Sequence, residues 1–183
     1  GIDVLDVGCG SGRAINLLAR HFPNSRFKGY DFSVEGVGAA RDEAERLGLT
    51  NARFEIKDAA AIGEIKQYDL ITAFDAIHDQ AKPDAVLREI CNALRPDGTF
   101  LMQDIAGSSH VDKNLDHLAA PLMYMTSCMH CMTVSLAQGG AGLGTMWGEE
   151  MACEMLKKAG FTGISISKLE HDLLNAYYVV TKS

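Results

Sequence analysis

Residues Asp6–Gly12 read DVGCGSG and follow directly on the apolar run IDVL at residues 2–5. Glycine inside a helix or strand costs roughly 0.5–1 kcal/mol relative to alanine, so three glycines at alternate positions argue against the interior of either element. A strand that ends in Gly8-Cys9-Gly10-Ser11-Gly12 and hands over to a helix makes use of them instead. Without a Cβ the main chain tolerates positive φ and lets another group approach closely. The first turn of the helix adds unpaired N–H groups at the same spot. Two readings are open: a tight packed turn, or a berth for a ligand at the crossover.

Working outward, apolar periodicity switches repeatedly between two residues and 3.6 residues. Ile2 to Val7 is a short aliphatic run of the kind buried in a parallel sheet. After the glycines, Ile15, Leu18, Ala19 and Phe22 share one helical face, and Pro23-Asn24 stops that helix. Phe27 to Asp31 reads as a second strand. Ser33 is then a candidate N-cap with Glu35 in the first turn; Val37, Ala40, Ala44 and Leu47 form a stripe that Gly48 closes. Arg53 to Ile56 and Tyr68 to Phe74 (YDLITAF) are the third and fourth strands. Leu87, Ile90, Cys91 and Leu94 mark the next helix, the turn RPDG at Arg95 to Gly98 ends it, and Thr99 to Met102 is the fifth strand. Beyond Gln103 the rhythm breaks. Residues 104–147 read as an insertion, before a helix at about Gly148 to Ala159 and two strands, Ile164 to Leu169 and Ala176 to Thr181. Alternating strands and helices imply a mostly parallel sheet covered on both faces, with ligands at the carboxyl ends of the strands near the topological switch.

Composition narrows the ligand. The 183 residues, 47% hydrophobic and 22% charged, suffice for one domain with a substantial core. A formal charge of −7 disfavours nucleic acid as a partner, because nonspecific affinity comes from Lys and Arg displacing counterions. Five cysteines in no regular framework suit free thiols in a reducing compartment, and the expectation is a cytoplasmic protein. No run approaches the roughly 18 apolar residues of a membrane span. The chain starts at Gly1 without an initiator Met, so a missing N-terminal region is expected.

A dinucleotide fingerprint, GxGxxG, would place its third glycine at position 13, where Arg13 stands. The spacing here is GxGxG, preceded by Asp6, and it resembles the first motif of the class I S-adenosylmethionine-dependent methyltransferases. The likeness extends along most of the chain. It implies an α/β, Rossmann-like doubly wound fold: a mostly parallel seven-stranded sheet with an antiparallel last strand, forming one domain over residues 1–183. It also implies S-adenosylmethionine as cofactor and S-adenosylhomocysteine as product. In that family the loop, here Asp6, Gly8, Cys9, Gly10 and Gly12, lies against the methionine and ribose. Asp31, followed by Phe32, matches the acid that takes both ribose hydroxyls, a task suited to a carboxylate with two acceptor oxygens. The competing reading is a solvated turn aspartate. Asp58, in EIKDAA, matches the acid at the adenine amino group, with Ala59 offering its N–H to the ring; an ordinary strand-ending Asp competes. Phe74 and Asp75 follow the fourth strand, where the main chain helps receive the methionine amino group. The stretch FDAIHD lacks the Asn/Asp-Pro-Pro-Tyr/Phe motif of enzymes that methylate nucleobase amines.

Methyl transfer from a sulfonium is an in-line displacement in which alignment supplies much of the rate, so no protein nucleophile is needed. An acceptor that carries a proton gains from a base near neutral pKa. His78, just past the fourth strand, is the first candidate, against a helix-capping or solvent-facing histidine. Asp79, His110 and Asp104 are lesser ones. Acids at these strand ends also suit Mg²⁺, as in catechol-type enzymes, but no ligand set is evident and no metal is expected.

Met123 to Met132 reads MYMTSCMHCM. Cys128, His130 and Cys131 suggest zinc or redox chemistry, yet a second ligand pair is not evident; a buried Met-rich helix is the preferred reading. As an insertion after the fifth strand it is expected to form the wall of an apolar acceptor pocket or a homodimer face, with Tyr124 and His130 pointing inward. QGGAGLGTMWGEE, from Gln138, reads as a flexible loop closing over the acceptor with Trp147 as an apolar contact, or as an ordered connector into the next helix. The wording of this region resembles a bacterial subgroup whose methyltransferase domain follows a winged-helix domain. The expected function is methyl transfer to a small, partly apolar acceptor at oxygen, nitrogen or carbon, without membrane or nucleic acid. A cofactor-binding regulatory module without catalysis is the alternative, and a nicotinamide-dependent oxidoreductase the third.

Overall fold

The computed structural model describes residues 1–182. Its strands are β1 (Asp3–Val7), β2 (Arg26–Asp31), β3 (Ala52–Ile56), β4 (Tyr68–Phe74), β5 (Leu94–Ile105), β6 (Gly163–Leu169) and β7 (Asp172–Thr181). They form one seven-stranded sheet in the order β3-β2-β1-β4-β5-β7-β6. Strands β1 to β5 pair in parallel, whereas β7 runs antiparallel to both β5 and β6. The helices are α1 (Arg13–His21), α2 (Val34–Arg46), α3 (Pro83–Ala93), α4 (Ala120–Thr126), α5 (Met132–Ala137) and α6 (Gly148–Ala159).

Successive side chains of a strand point to opposite faces, and β1 shows the consequence. Val4 joins the core under α1 and α2, with Ile15, Val37, Ala40 and Phe54. Leu5 joins the core under α3 and α6, with Ile71, Val86, Leu87, Phe100 and Leu156. Local chemistry sets the helix ends. The Ser33 hydroxyl accepts from the Gly36 N–H at 3.0 Å, and Glu35 lies in the first turn of α2, where the helix dipole favours an anion. Helix α6 begins with Glu149 and Glu150, ends with Lys157 and Lys158, and closes on Gly160 at φ 108°.

The last strand starts at Asp172, four residues before the expected Ala176, and β5 runs on to Ile105; two further features depart from the sequence expectation. The turn RPDG does not precede β5; it is absorbed into it. Tyr68 pairs with Leu94, and Leu70 already pairs with Thr99, so residues 95–98 bulge out of the ladder. Second, the segment 123–132 is a helix but not a buried one. Met125 and Met129 are exposed, as are Leu115, Leu118 and Leu122 before them. Only its other side is covered, through Ser127, Cys131 and Ser135. A wider π-helical turn at Ser127–Cys131 joins α4 to α5. No described helix is long and apolar enough to cross a membrane, and the five cysteines are free thiols.

Candidate functional site

The sheet order reverses between β1 and β4, and the chain beyond Val7 and beyond Phe74 therefore flanks the crevice in which an open α/β sheet places its ligand. All three motif glycines have positive φ: 73° at Gly8, 51° at Gly10 and 71° at Gly12. Their surroundings differ. A Cβ on Gly8 would lie 2.5 Å from the Ala76 Cβ, and one on Gly12 would lie 2.6 Å from both the Ala40 Cβ and the Phe54 ring. Those two are bare so that protein can pack against protein. A Cβ on Gly10 would meet nothing within 4 Å. The expectation that all the glycines admit a ligand is thus narrowed to one.

Asp31 closes the other side of that opening. Its Oδ2 accepts the Gly10 N–H at 2.8 Å and its Oδ1 accepts the Ser33 N–H at 2.8 Å. Each carboxylate oxygen keeps further acceptor capacity, so the side chain is both anchored and available. Cys9 contributes less than expected. Its N–H is bonded to the Tyr30 carbonyl, its carbonyl to the Gly12 N–H, and its thiol packs beneath the loop against Gly29. Burial, with Asp6 and Asp31 nearby, pushes that thiol up to about 12. Asp6 is buried below the turn and accepts from the Thr72 hydroxyl at 2.6 Å. Burial raises its pKa to about 7, the Thr72 bond opposing and the Asp31 charge assisting.

Phe32, 62% exposed, and Asp58 stand on one side of a cleft of about 300 Å³ whose other side is Asp79, Gln80, Lys82 and Gln138. Asp58 caps a short 3₁₀ turn, Ala59–Ala61, through the Ala60 N–H at 2.8 Å; Ala59 is buried behind it. Beyond Phe74, Asp75 sits at φ 49°, a strained conformation for a non-glycine residue. Two bonds to Gln103 hold it: Asp75 N–H to the Gln103 carbonyl at 3.0 Å, and Gln103 Nε2 to Asp75 Oδ1 at 3.0 Å. Its carboxyl is crowded by protein though open to solvent, and its pKa is raised chiefly by desolvation.

His78 is only 3% exposed. Its Nδ1 lies 2.7 Å from Oδ1 of fully buried Asp104, and its Nε2 lies 3.4 Å from Oδ1 of Asp79. Burial alone would lower its pKa, but the Asp104 bond and the charges of Asp104, Asp79 and Asp75 outweigh that and raise it. The proton-accepting role expected for His78 needs a nitrogen facing the cleft. The fold turns both nitrogens toward carboxylates and brings Asp79, not His78, to the cleft wall.

The three residues expected around the acceptor are placed apart. Tyr124 uses its hydroxyl to accept from Asn114 Nδ2 at 2.9 Å. His130 is exposed, not inward-pointing, because the helical spacing that buries Ser127 and Cys131 turns residue 130 to solvent. Trp147 is 3% exposed and lies in the main core, so it has no face to offer. The glycine-rich segment is the ordered connector, not the loose lid. Gly140 lies where a Cβ would come 2.5 Å from the Ala81 Cα. Ala141 N–H donates to the Ala81 carbonyl at 3.0 Å, and the Ser135 hydroxyl donates to the Gln80 carbonyl at 3.0 Å. His110 is exposed. Gln80, Lys82 and Gln138 were invisible to sequence reasoning, since only this docking brings Gln138 beside the fourth strand.

Three larger hollows lie elsewhere, one of them, of about 490 Å³, between Arg41, Leu49 and Phe54. A second of about 440 Å³ is bounded by Asp3, Arg26, Lys28 and Arg53 at the amino ends of the strands. Another of about 810 Å³ lies beside α6, between Lys113, His117, Glu150 and Lys168. None of the three includes the glycine turn or Asp31, and strand direction, not volume, locates the site.

A family model described as a methyltransferase domain matches residues 1–160. The chain belongs to that family. It is a class I, S-adenosylmethionine-dependent methyltransferase domain, and the sheet order and antiparallel β7 are those of the fold. Among curated proteins, a fatty-acid O-methyltransferase of Mycolicibacterium smegmatis is 31% identical over 101 residues, 55% of this chain and 36% of the relative. A trans-aconitate 2-methyltransferase of Variovorax paradoxus is 34% identical over 101 residues, 55% of this chain and 37% of the relative. The methyltransferase domain thus spans little more than a third of each relative's length. A solved SAM-dependent methyltransferase from Aquifex aeolicus superposes with TM-score 0.71 at 17% identity, covering 98% of this chain and 81% of that one. The methyltransferase CalH, solved in complex with SAH, superposes with TM-score 0.73 at 18% identity, covering 98% and 51%. At such identities the likeness is one of fold.

Proposed function

We propose that the protein transfers a methyl group from S-adenosylmethionine to a small, partly apolar acceptor. The bond from the Gly10 N–H to Asp31 carries this reading, because it sets a half-free carboxylate beside the one motif glycine that opens onto empty space. The residues present fit the cofactor. Gly10 leaves room for the methionine and ribose, Asp31 has acceptor capacity for a ribose diol, and Asp58 and Phe32 share a cleft wall that would suit an adenine, with Ala59 buried behind it. When bound, the sulfonium supplies an electrophilic methyl for in-line displacement.

The chain's own contribution is then alignment and exclusion of water. Asp75, pinned by Gln103, holds the turn after β4 in place. The segment 138–141, docked on Gln80 and Ala81, walls the cleft. The relatives act on acceptors as different as fatty acids and trans-aconitate, so the acceptor is assigned only as a class. Support for a small acceptor comes from the net acidity.

One observation favours a second reading, a cofactor-binding regulatory module attached to a DNA-binding domain. No nitrogen of His78 faces the cleft. The full-length protein incubated with radiolabelled S-adenosylmethionine and a metabolite panel decides between them. Label on any small molecule supports the enzyme. Tight S-adenosylhomocysteine binding with no transfer, together with cofactor-dependent DNA binding, supports the module.

A further inference from the structure

Beside the cleft, the insertion meets the loop after β4 in a cluster whose charges do not balance. His78, Asp79 and Cys131 each offer one donor atom, and these atoms lie within 4.8 Å of one another. Asp104 stands behind His78, and Asp75 and Asp104 form a second group with the same histidine. Among the described residues, no Lys or Arg forms an ion pair with Asp75, Asp79 or Asp104. Of the three only Asp104 is fully buried, with His78 as its one ionisable partner of opposite charge, and burying a carboxylate with so little compensation is costly.

The hydrogen-bond pattern points the same way. Four buried side-chain polar atoms among the described residues lack a hydrogen bond, and two are here: Oδ2 of Asp104, and Oδ1 of Asp79, which has only the 3.4 Å approach of His78 Nε2. Asp104 is 0% exposed, so water does not reach that oxygen from bulk. A histidine that binds a metal through one nitrogen generally donates from the other to a carboxylate, which fixes the ring. His78 has that arrangement, with Nδ1 at 2.7 Å from Asp104 and Nε2 turned toward Asp79 at 3.4 Å.

We propose that His78 Nε2, Asp79 Oδ1 and Cys131 Sγ form a site for a divalent cation of the zinc class, with Asp104 as the carboxylate that orients the histidine. The donor set selects the ion. Thiolate, imidazole and carboxylate together suit zinc, while magnesium and calcium take oxygen ligands. Tetrahedral zinc with bonds of about 2.0–2.3 Å has ligand–ligand edges of roughly 3.5 Å, so the three donors need to close by little more than an ångström. Three protein ligands leave a fourth position for water, as in catalytic sites. The cleft supplies an entry path, since Asp79 lines it and is 32% exposed in its side chain. Binding displaces the Cys131 proton, which leaves to solvent. Without the ion, burial and then the neighbouring Asp79 hold that thiol protonated, near 12. The adjacent Cys128 and His130 are exposed and take no part. Sequence spacing pointed to those two with Cys131; the fold instead selects Cys131 alone and adds partners about fifty residues upstream.

This inference is independent of methyl transfer, and its test separates the two. The full-length protein, loaded with Zn²⁺ and dialysed, is assayed for metal by elemental analysis and for S-adenosylhomocysteine binding by calorimetry. Co²⁺ replaces zinc as a spectroscopic probe. Expected are about one zinc per chain and a thiolate-to-cobalt charge-transfer band that Cys131→Ser abolishes and Cys128→Ser leaves intact. Asp104→Asn is expected to keep the band and weaken the metal about 10- to 100-fold, the range for outer-shell partners. It also serves as the deciding variant if Cys131→Ser does not fold. A protein that binds S-adenosylhomocysteine but retains no zinc and shows no thiolate band overturns the proposal, as does a band that survives Cys131→Ser. The cluster would then be a hydrogen-bonded histidine and its carboxylates only.

Discussion

Asp31 Oδ2 accepts the main-chain N–H of Gly10 at 2.8 Å, across 21 residues of sequence. The end of β2 is thereby fastened to the middle of the glycine turn, and the carboxylate is held in place before any ligand arrives. Pre-organisation of this kind lowers the entropic cost of binding.

Asp31→Ala removes that acceptor and the capacity to take a diol. Hydrogen bonds to charged groups contribute about 1.5–3 kcal/mol, so calorimetry should show S-adenosylhomocysteine affinity falling by at least about tenfold. Circular dichroism should show the fold retained, because Ser33 still caps α2. Unchanged affinity would remove Asp31 from the site.

Gly10→Ala and Gly12→Ala should separate binding from stability. Both place an L side chain at positive φ, a strain of about 1–2 kcal/mol. Only Gly12 adds a clash, at 2.6 Å with Ala40 and Phe54, so its variant should show the larger drop in melting temperature. Gly10→Ala should show the larger loss of S-adenosylhomocysteine affinity, since its methyl occupies the ligand's space. The reverse ranking would place the ligand elsewhere.

Asp6 predicts a pH dependence. Its pKa is about 7 in the folded protein against 3.8 as the ordinary value, so between these limits the folded state binds a proton that the unfolded state has released. The stability that Asp6 contributes is therefore fully present below about pH 4 and is lost as pH rises through about 7, roughly 4 kcal/mol in all at 1.36 kcal/mol per unit. Asp6→Asn cannot ionise, so its melting temperature should gain on the parent as pH rises from about 5 to about 8. A constant difference would mean that Asp6 ionises normally.

Trp147→Ala should cost about 3–5 kcal/mol, as for other buried aromatic residues, and should lower the urea midpoint accordingly. As the only tryptophan it also reports on its surroundings. Its fluorescence maximum should be blue-shifted and should not respond to acceptor, whereas a lid residue would respond.

Much of this architecture could be read in one dimension because its causes are local. The β4 boundaries, Tyr68 to Phe74, follow from an apolar run bounded by polar residues. The Ser33 cap and the Gly48 stop follow from side-chain and main-chain chemistry within a few residues. The RPDG turn at residues 95–98 was visible as a turn, but its absorption into β5 depends on a register against β4 that no local signal encodes. Residues 104–147 were the least legible. Helical periodicity there gives a face but not its partner, so Met125 and Met129, assigned to the core, lie on the surface, and Trp147, assigned to a lid, lies in the core.

By itself the sequence determined the alternation of strand and helix, the bare turn at residues 8–12 and the carboxylate ending the next strand, because periodicity, propensity and capping act over a few residues. Tertiary structure alone decided which glycine faces open space, that both nitrogens of His78 meet carboxylates, and that Cys131 comes to rest beside Asp79. Those outcomes depend on contacts between residues distant in the chain, whose geometry is fixed only when both faces of the sheet are packed.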